Sequence, residues 1–328
     1  MTLRTAFCDL VGIDLPVVQA PIGGPSRPAL AAAVSNAGGL GVQAVSWDRP
    51  DQLERRLAKT RELTSKPFGI NVVLEWPQHD RVAQCLAAGV RVISTFWGDP
   101  APYTDMIHQA GAIHIHTVGS AAEARDAVAA GVDVIVAQGW EAGGHVRGEV
   151  STLALVPAVA DAVAPVPVLA AGGIADGRGL AAVLALGADA AWIGTRFLLA
   201  DEAATGPAYR DALITAAETD TAHGIVFDKG WPDAPHRAPA QQHRARMGSR
   251  RPPRTRAPPR GERRGRHLAR RPERATLRRP RTPRRCHRRH RSHGPVRGPR
   301  NRPAARTQPA AQIVADLVEH CHARLTRW

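Results

Sequence analysis

Eight short apolar runs recur between residues 17 and 193, separated by amphipathic, mostly alanine-rich segments. They are Val17–Ala20, Gly41–Ala44, Phe68–Val73, Val90–Phe96, Ala112–Val118, Val132–Ala137, Val166–Ala171 and Ala188–Ile193. Short continuous apolar stretches suit a parallel sheet that is covered on both faces. Helices are expected between them, among others over Asp51–Leu63, Gln78–Ala88, Ala121–Ala130, Ser151–Val163 and Gly177–Leu186, with a last one over Ala204–Glu218. Three joints share one pattern: Ala87–Val90, Ala129–Val132 and Leu186–Asp189 each place a glycine where a helix must stop and a strand begin. Glycine takes the left-handed conformation that such a cap needs. Eight strands alternating with helices point to a (β/α)8 TIM barrel. The alternative, a doubly wound open sheet, carries its dinucleotide-binding glycines after the first strand. Here the glycine-rich turns follow the sixth, seventh and eighth strands, which favours the barrel.

The C-terminal ends of barrel strands are where ligands bind. The loop after the sixth strand, Gln138-Gly139-Trp140-Glu141-Ala142-Gly143-Gly144-His145-Val146-Arg147-Gly148, is glycine-rich around a single histidine. His145 is the candidate for acid–base or electrostatic work near neutral pH. Gln138, at the strand end, is placed to hydrogen-bond a ring edge. Glu141 and Arg147 either bind substrate or pair with each other. Gly172-Gly173 after the seventh strand and Trp192-Ile193-Gly194-Thr195 at the eighth form a candidate phosphate site, because loops at these two strands often cradle phosphate on backbone N–H groups. Gln19-Ala20-Pro21 ends the first strand with residues small enough for a flat cofactor to lie against the backbone. Asn71 on the third strand offers an amide. His114 and His116 share a face of the fifth strand, where a structural role is expected. The sequence shows no metal cluster, GxSxG or Walker loop, and a glycosidase carboxylate pair is not recognisable.

Charge divides the 328 residues sharply. The formal net charge is +15, from 44 Lys and Arg against 29 Asp and Glu. Residues 238–308 hold 25 Arg and 2 Glu, so the rest of the chain is left at −8. A nucleic-acid partner is therefore expected only through that segment, which has no Phe, Trp, Tyr, Lys, Asp or Ile. Such a composition buries too little apolar surface to offset chain entropy. The chain is thus expected to divide into a barrel over 1–237, an Arg/Pro-rich low-complexity segment over 238–308 and a C-terminal helix over 309–328. The segment has two readings: a nucleic-acid-binding arm, or a GC-rich gene translated out of frame. Met247-Gly248 requires ATG-GGN, whose next frame contains the tryptophan codon TGG. Codons for Gln241 to Met247 can be chosen so that this frame reads Asn-Ser-Thr-Val-Arg-Ala-Trp. Four cysteines without CxxC spacing, no signal-peptide pattern and no membrane-length apolar run together suggest a cytoplasmic protein.

Several stretches, taken in order, resemble the nitronate monooxygenases, formerly called 2-nitropropane dioxygenases. They are Val18–Gly24, Ser35–Gly41, Phe68–Asn71, Gln138–His145, Ala170–Ile174 and Ile193–Phe197. The loop Gly230–Arg237 is similar as well, and family members then tend to continue with an Asn-Ser-Thr-Val-Arg-like stretch, as the shifted frame does. The resemblance implies a TIM barrel with non-covalent FMN, held by Asn71, Gln138, Gly143, Gly172 or Gly173, and Trp192 to Thr195, with Gly144 beside them. His145 would be the catalytic histidine. The implied reaction oxidises an alkyl nitronate with O2 to a carbonyl compound and nitrite. One departure is that Phe96 stands where some members carry histidine. The runner-up is a flavin-dependent enoyl-thioester reductase using NAD(P)H, and the oligomeric state stays open.

Overall fold

In the computed structural model the eight apolar runs close into a parallel barrel. Residues 3–225, 231, 233–240 and 306–327 are described. Most of the Arg/Pro-rich segment, and the nucleic-acid and reading-frame expectations attached to it, lie outside the described residues. In chain order the strands are β1 Val17–Gln19, β2 Leu40–Ala44, β3 Phe68–Val73, β4 Val92–Phe96, β5 Ile113–Val118, β6 Val134–Gln138, β7 Gly144–His145, β8 Val168–Ala171 and β9 Ala190–Ile193. All but β7 form the barrel, in the order β1-β2-β3-β4-β5-β6-β8-β9, with β9 closing on β1 through Val18 opposite Trp192. Each barrel strand lies within two residues of its expected bounds. At the helix-to-strand joints Gly89, Gly131 and Gly187 have φ of 77°, 85° and 94°, as the cap pattern requires.

Side chains alternate between the barrel interior and the helical layer, with a period of two. Val18, Leu40, Val42, Val92, Ile115, Val134, Val136, Leu169, Ala190 and Trp192 fill the inside. Helix α1 (Ala6–Val11) joins this cluster through Phe7, Cys8 and Val11, and the Thr5 hydroxyl donates to the Asp189 carbonyl at 2.8 Å, just before β9. It therefore closes the N-terminal end of the barrel and leaves the opposite end for a ligand. The outward residues of β1, β6, β8 and β9, Val17, Ile135, Ala137, Val168, Ala170, Ala191 and Ile193, pack with Leu155, Val159 and Leu180 of the helical layer.

The C-terminal helix, Ala310–Leu325, returns to this layer and buries Ile313, Val314, Leu317 and Cys321. It lies so close to helix α8 (Gly177–Ala185) that a Cβ on Gly177 would stand 2.4 Å from the Cys321 amide nitrogen. Gln308, just ahead of the helix, accepts from the buried Arg196 guanidinium and donates to Asp316 at 2.7 Å. Arg196 lies in the turn Thr195–Leu199, so this helix braces the turn that follows β9. Among the described residues no helix is long and apolar enough to cross a membrane.

The described residues also form a second sheet, of three strands. β10 (Thr221–Gly224) pairs antiparallel with β11 (His236–Pro239), and β11 pairs with β7. These strands are short and carry no apolar alternation. They form through distant partners rather than local propensity.

Candidate active site

A cavity of about 830 Å³ opens over the C-terminal ends of the barrel strands. Twelve of the candidate residues singled out from sequence line it: Ala20, Pro21, Asn71, Gln138, Glu141, Gly143, Gly144, His145, Gly172, Trp192, Gly194 and Thr195. Strand alternation explains most of this selection. Ala20, Ala44, Asn71, Thr117, Gln138, Ala171 and Trp192 all follow inward-facing parity, and most are small or polar.

The same parity removes two candidates. Gln19 turns outward beside Val17, is fully buried, and donates to the Ser26 hydroxyl at 2.9 Å and the Val42 carbonyl at 3.1 Å. Ile193 likewise packs in the outer layer. Gly173 is exposed and lies outside the cavity lining, so of the glycine pair it is Gly172 that borders the cavity.

The His145 loop is held from three sides. The Gln138 side-chain amide donates to the His145 carbonyl at 2.9 Å and its oxygen accepts from the Arg147 amide at 3.3 Å. Gln138 therefore anchors the loop while also lining the cavity. The Glu141 carboxylate accepts from the Thr152 amide at 2.8 Å and hydroxyl at 2.9 Å, at the start of helix α7 (Thr152–Val163). Arg147 pairs with Glu123 at 2.9 Å. Glu141 and Arg147 thus find separate partners rather than each other. On the third side β11 runs alongside, with His236 opposite His145, Arg237 opposite Gly144, and the Val146 amide donating to the Pro235 carbonyl at 2.9 Å. Gly143 then meets the phosphate-type turn: a Cβ there would stand 3.0 Å from the Thr195 hydroxyl oxygen.

Aromatic rings wall the mouth. His145 lies against Trp231, with ring centroids 4.0 Å apart and planes at 31°. Trp231 is 4% exposed and also contacts Trp76, Phe96 and Trp97. The Arg147 guanidinium sits over Trp97 at 5.6 Å. Trp97 has φ of 64°, a conformation that a bulky residue adopts only under strain held by its surroundings. Sequence reasoning missed Trp47, Trp231, His236 and Arg237 as cavity residues. For Trp47 a signal was present: like Trp76, Trp97 and Trp140, it follows a barrel strand by no more than three residues.

His114 and His116 stand apart from the cavity, on the outer face of β5, as expected of structural residues. The Thr95 hydroxyl contacts His114 Nε2 at 2.9 Å and His116 Nδ1 at 2.8 Å, and Thr104 contacts His114 Nδ1 at 3.1 Å. Burial pushes His114 down to about 3 and His116 down to about 4, so both are neutral at physiological pH.

A sequence model of the nitronate monooxygenase family matches residues 4–80 and 75–240. The nitronate monooxygenase of Paraburkholderia phytofirmans is 39% identical over 269 residues, covering 67% of this chain and 73% of the relative. The (3aS,4S,5R,7aS)-5-hydroxy-7a-methyl-1-oxo-octahydro-1H-indene-4-carboxyl-CoA dehydrogenase of Mycobacterium tuberculosis is 41% identical over 219 residues, which cover 66% of this chain. The chain spans about three fifths of that relative's length, at 61%. Among solved structures, FabK from Thermotoga maritima superposes with a TM-score of 0.76 at 29% identity, covering 99% of this chain and 98% of its own. Nitroalkane oxidase from Streptomyces ansochromogenes gives 0.72 at 26% identity, covering 98% and 99%.

Fold and cavity together define a (β/α)8-barrel protein with a ligand site at the C-terminal ends of its strands. Within that class, the chain belongs to the nitronate monooxygenase family.

Proposed function

We propose that this chain is a cytoplasmic, FMN-dependent nitronate monooxygenase that converts an alkyl nitronate and O2 to a carbonyl compound and nitrite. The observation that carries the reading is the register-locked His145 loop standing over a cavity whose floor includes several small residues. Ala20, Ala44, Ala171, Gly172 and Gly194 supply that floor. Only the Ala20 methyl group, at 3.8 Å, comes within 4 Å of where a Gly194 Cβ would stand. A flat ring with a phosphate tail fits such a surface. Asn71, Gly143, Gly172, Trp192, Gly194 and Thr195 would hold it, with Gln138 acting through the loop. When bound, the flavin supplies the redox chemistry, and the protein supplies orientation and electrostatics. His145 places an imidazole at the cavity edge, where it would hydrogen-bond the anionic nitronate. Trp231 covers one side of that ring.

The test is the absorbance spectrum of the purified chain, followed by anaerobic addition of propionate 3-nitronate. Flavin bands that bleach on addition support the reading. A flavoprotein whose bands ignore nitronate overturns it.

A second reading, an NAD(P)H-dependent reductase or dehydrogenase of acyl thioesters, is favoured by the apolar wall of Trp47, Phe96 and Trp231 and by the carboxyl-CoA dehydrogenase relative. Bands that bleach with NADPH and recover with an enoyl thioester would favour it.

A further inference from the structure

Opposite sides of the cavity differ in chemistry. The candidate phosphate turns follow β8 and β9. In the closed order β1-β2-β3-β4-β5-β6-β8-β9, strands β3 and β4 stand four places from β8 and β9, which puts them across the barrel. The strand ends on that far side carry an apolar wall. Trp47 follows β2, Val73 ends β3 and Phe96 ends β4, and all three line the cavity together with Trp231. The charged side chains among the described lining residues, Glu141, Asp220 and Arg237, belong instead to the loop after β6 and to the region of β10 and β11.

The wall is built ring against ring. Trp76 meets Trp47 with centroids 5.7 Å apart and planes at 65°, and it meets Trp231 at 5.6 Å and 68°. Trp231 in turn meets Phe96 at 6.3 Å and 71°. Edge-to-face contacts of this kind favour fixed ring orientations. Trp231 is buried among these neighbours, whereas Trp47 lines the cavity and is still 58% exposed. Its contact with Trp76 therefore leaves much of the indole uncovered. A large apolar side chain left bare on a supported cavity wall marks a place that a ligand covers.

We propose that Trp47 is a specificity-determining residue of this site, and that the substrate is a nitronate bearing a bulky, ring-containing apolar group that lies against Trp47, Val73 and Phe96. The inference rests on the nitronate reading above and adds the substrate class to it. Phosphate binding at the β8 and β9 turns leaves the β2–β4 side of the cavity to the substrate. Two rings, Trp231 and Trp76, intervene in the chain of contacts from His145 to Trp47. A two-carbon nitronate held at His145 thus leaves the indole bare, and a longer, ring-bearing one covers it. Covering it removes apolar surface of both partners from water, which favours binding in proportion to the area.

The experiment is calorimetric titration of the purified full chain with two unreactive carboxylates, 3-phenylpropanoate and propanoate. Like nitronates, these are planar anions with two oxygens on one centre. In the wild type 3-phenylpropanoate is expected to bind about 10- to 100-fold more tightly than propanoate, the range for burying a side chain of phenylalanine's size. Trp47→Ala should lower that ratio about tenfold, and Trp47→Phe, which keeps a ring, should recover part of it. Trp47→Leu serves as the second ringless variant should the alanine form fold poorly. In kinetics, the kcat/KM ratio of 2-phenylethyl nitronate to ethyl nitronate should move in parallel, chiefly through KM. Equal affinity for the two carboxylates in the wild type overturns the proposal, as does a ratio that the ringless variants leave unchanged. If the wild type oxidises neither nitronate, the reaction assignment fails, while the carboxylate ratios still decide what the wall binds.

Discussion

Gln138 has a structural task as well as a place in the cavity. Its amide joins the His145 carbonyl to the Arg147 backbone, so the residue acts on the reaction through the loop. Gln138→Leu keeps the volume and removes both bonds. The freed loop should misplace His145 and lower kcat about 10- to 100-fold, as small misplacements of catalytic groups do. Steady-state kinetics alongside hydrogen exchange at Val146 and Arg147 checks this; a kcat within twofold of wild type would refute it. Gln19 and Ile193 show where residue-level reading stops. Val17-Val18-Gln19-Ala20 is buried throughout, save for Ala20, and a parallel strand covered on both faces carries no polar alternation from which parity can be read. Closure of the barrel sets which side chains face the cavity.

At the scale of elements, the β4–β5 pair makes a prediction about pH. His114 and His116 are held neutral by burial, with folded values near 3 and 4 against an ordinary 6.5. Between those limits the unfolded chain binds more protons than the folded one, so stability is full above about pH 6.5 and falls as the pH drops towards 4. Each such group contributes a slope of about 1.4 kcal/mol per pH unit inside its window. Asparagine can keep a bond to the Thr95 hydroxyl without titrating. His116→Asn should therefore flatten the decline in urea midpoint between pH 6.5 and 4.5; an unchanged slope would show that other groups govern acid stability. The barrel strands were legible because long apolar runs and glycine caps are local signals. The second sheet was not. β7 is two residues long, and its partner begins at His236, 91 positions beyond His145.

The whole molecule brings together two observations about reading frame. The family match ends at residue 240, where the arginine-rich composition sets in. The chain then resumes an ordinary pattern, and the helix Ala310–Leu325 packs on α8 with its apolar face buried. Re-sequencing the coding region is expected to uncover one insertion or deletion near codon 240 and a compensating one before codon 306. An uninterrupted frame would make the arginine-rich run genuine, and nucleic-acid binding with a steep salt dependence would then become the property to measure.

Periodicity, glycine placement and the spacing of eight apolar runs determined the barrel, its ligand end and most of the small residues at that end, because these depend on local conformational preference and burial. The tertiary structure alone decided which of two neighbouring residues faces inward, what Gln138, Glu141 and Arg147 bind, and that His236 and Trp231 stand beside His145. Those outcomes depend on pairing between segments distant in the chain, and no local property of either segment encodes its partner.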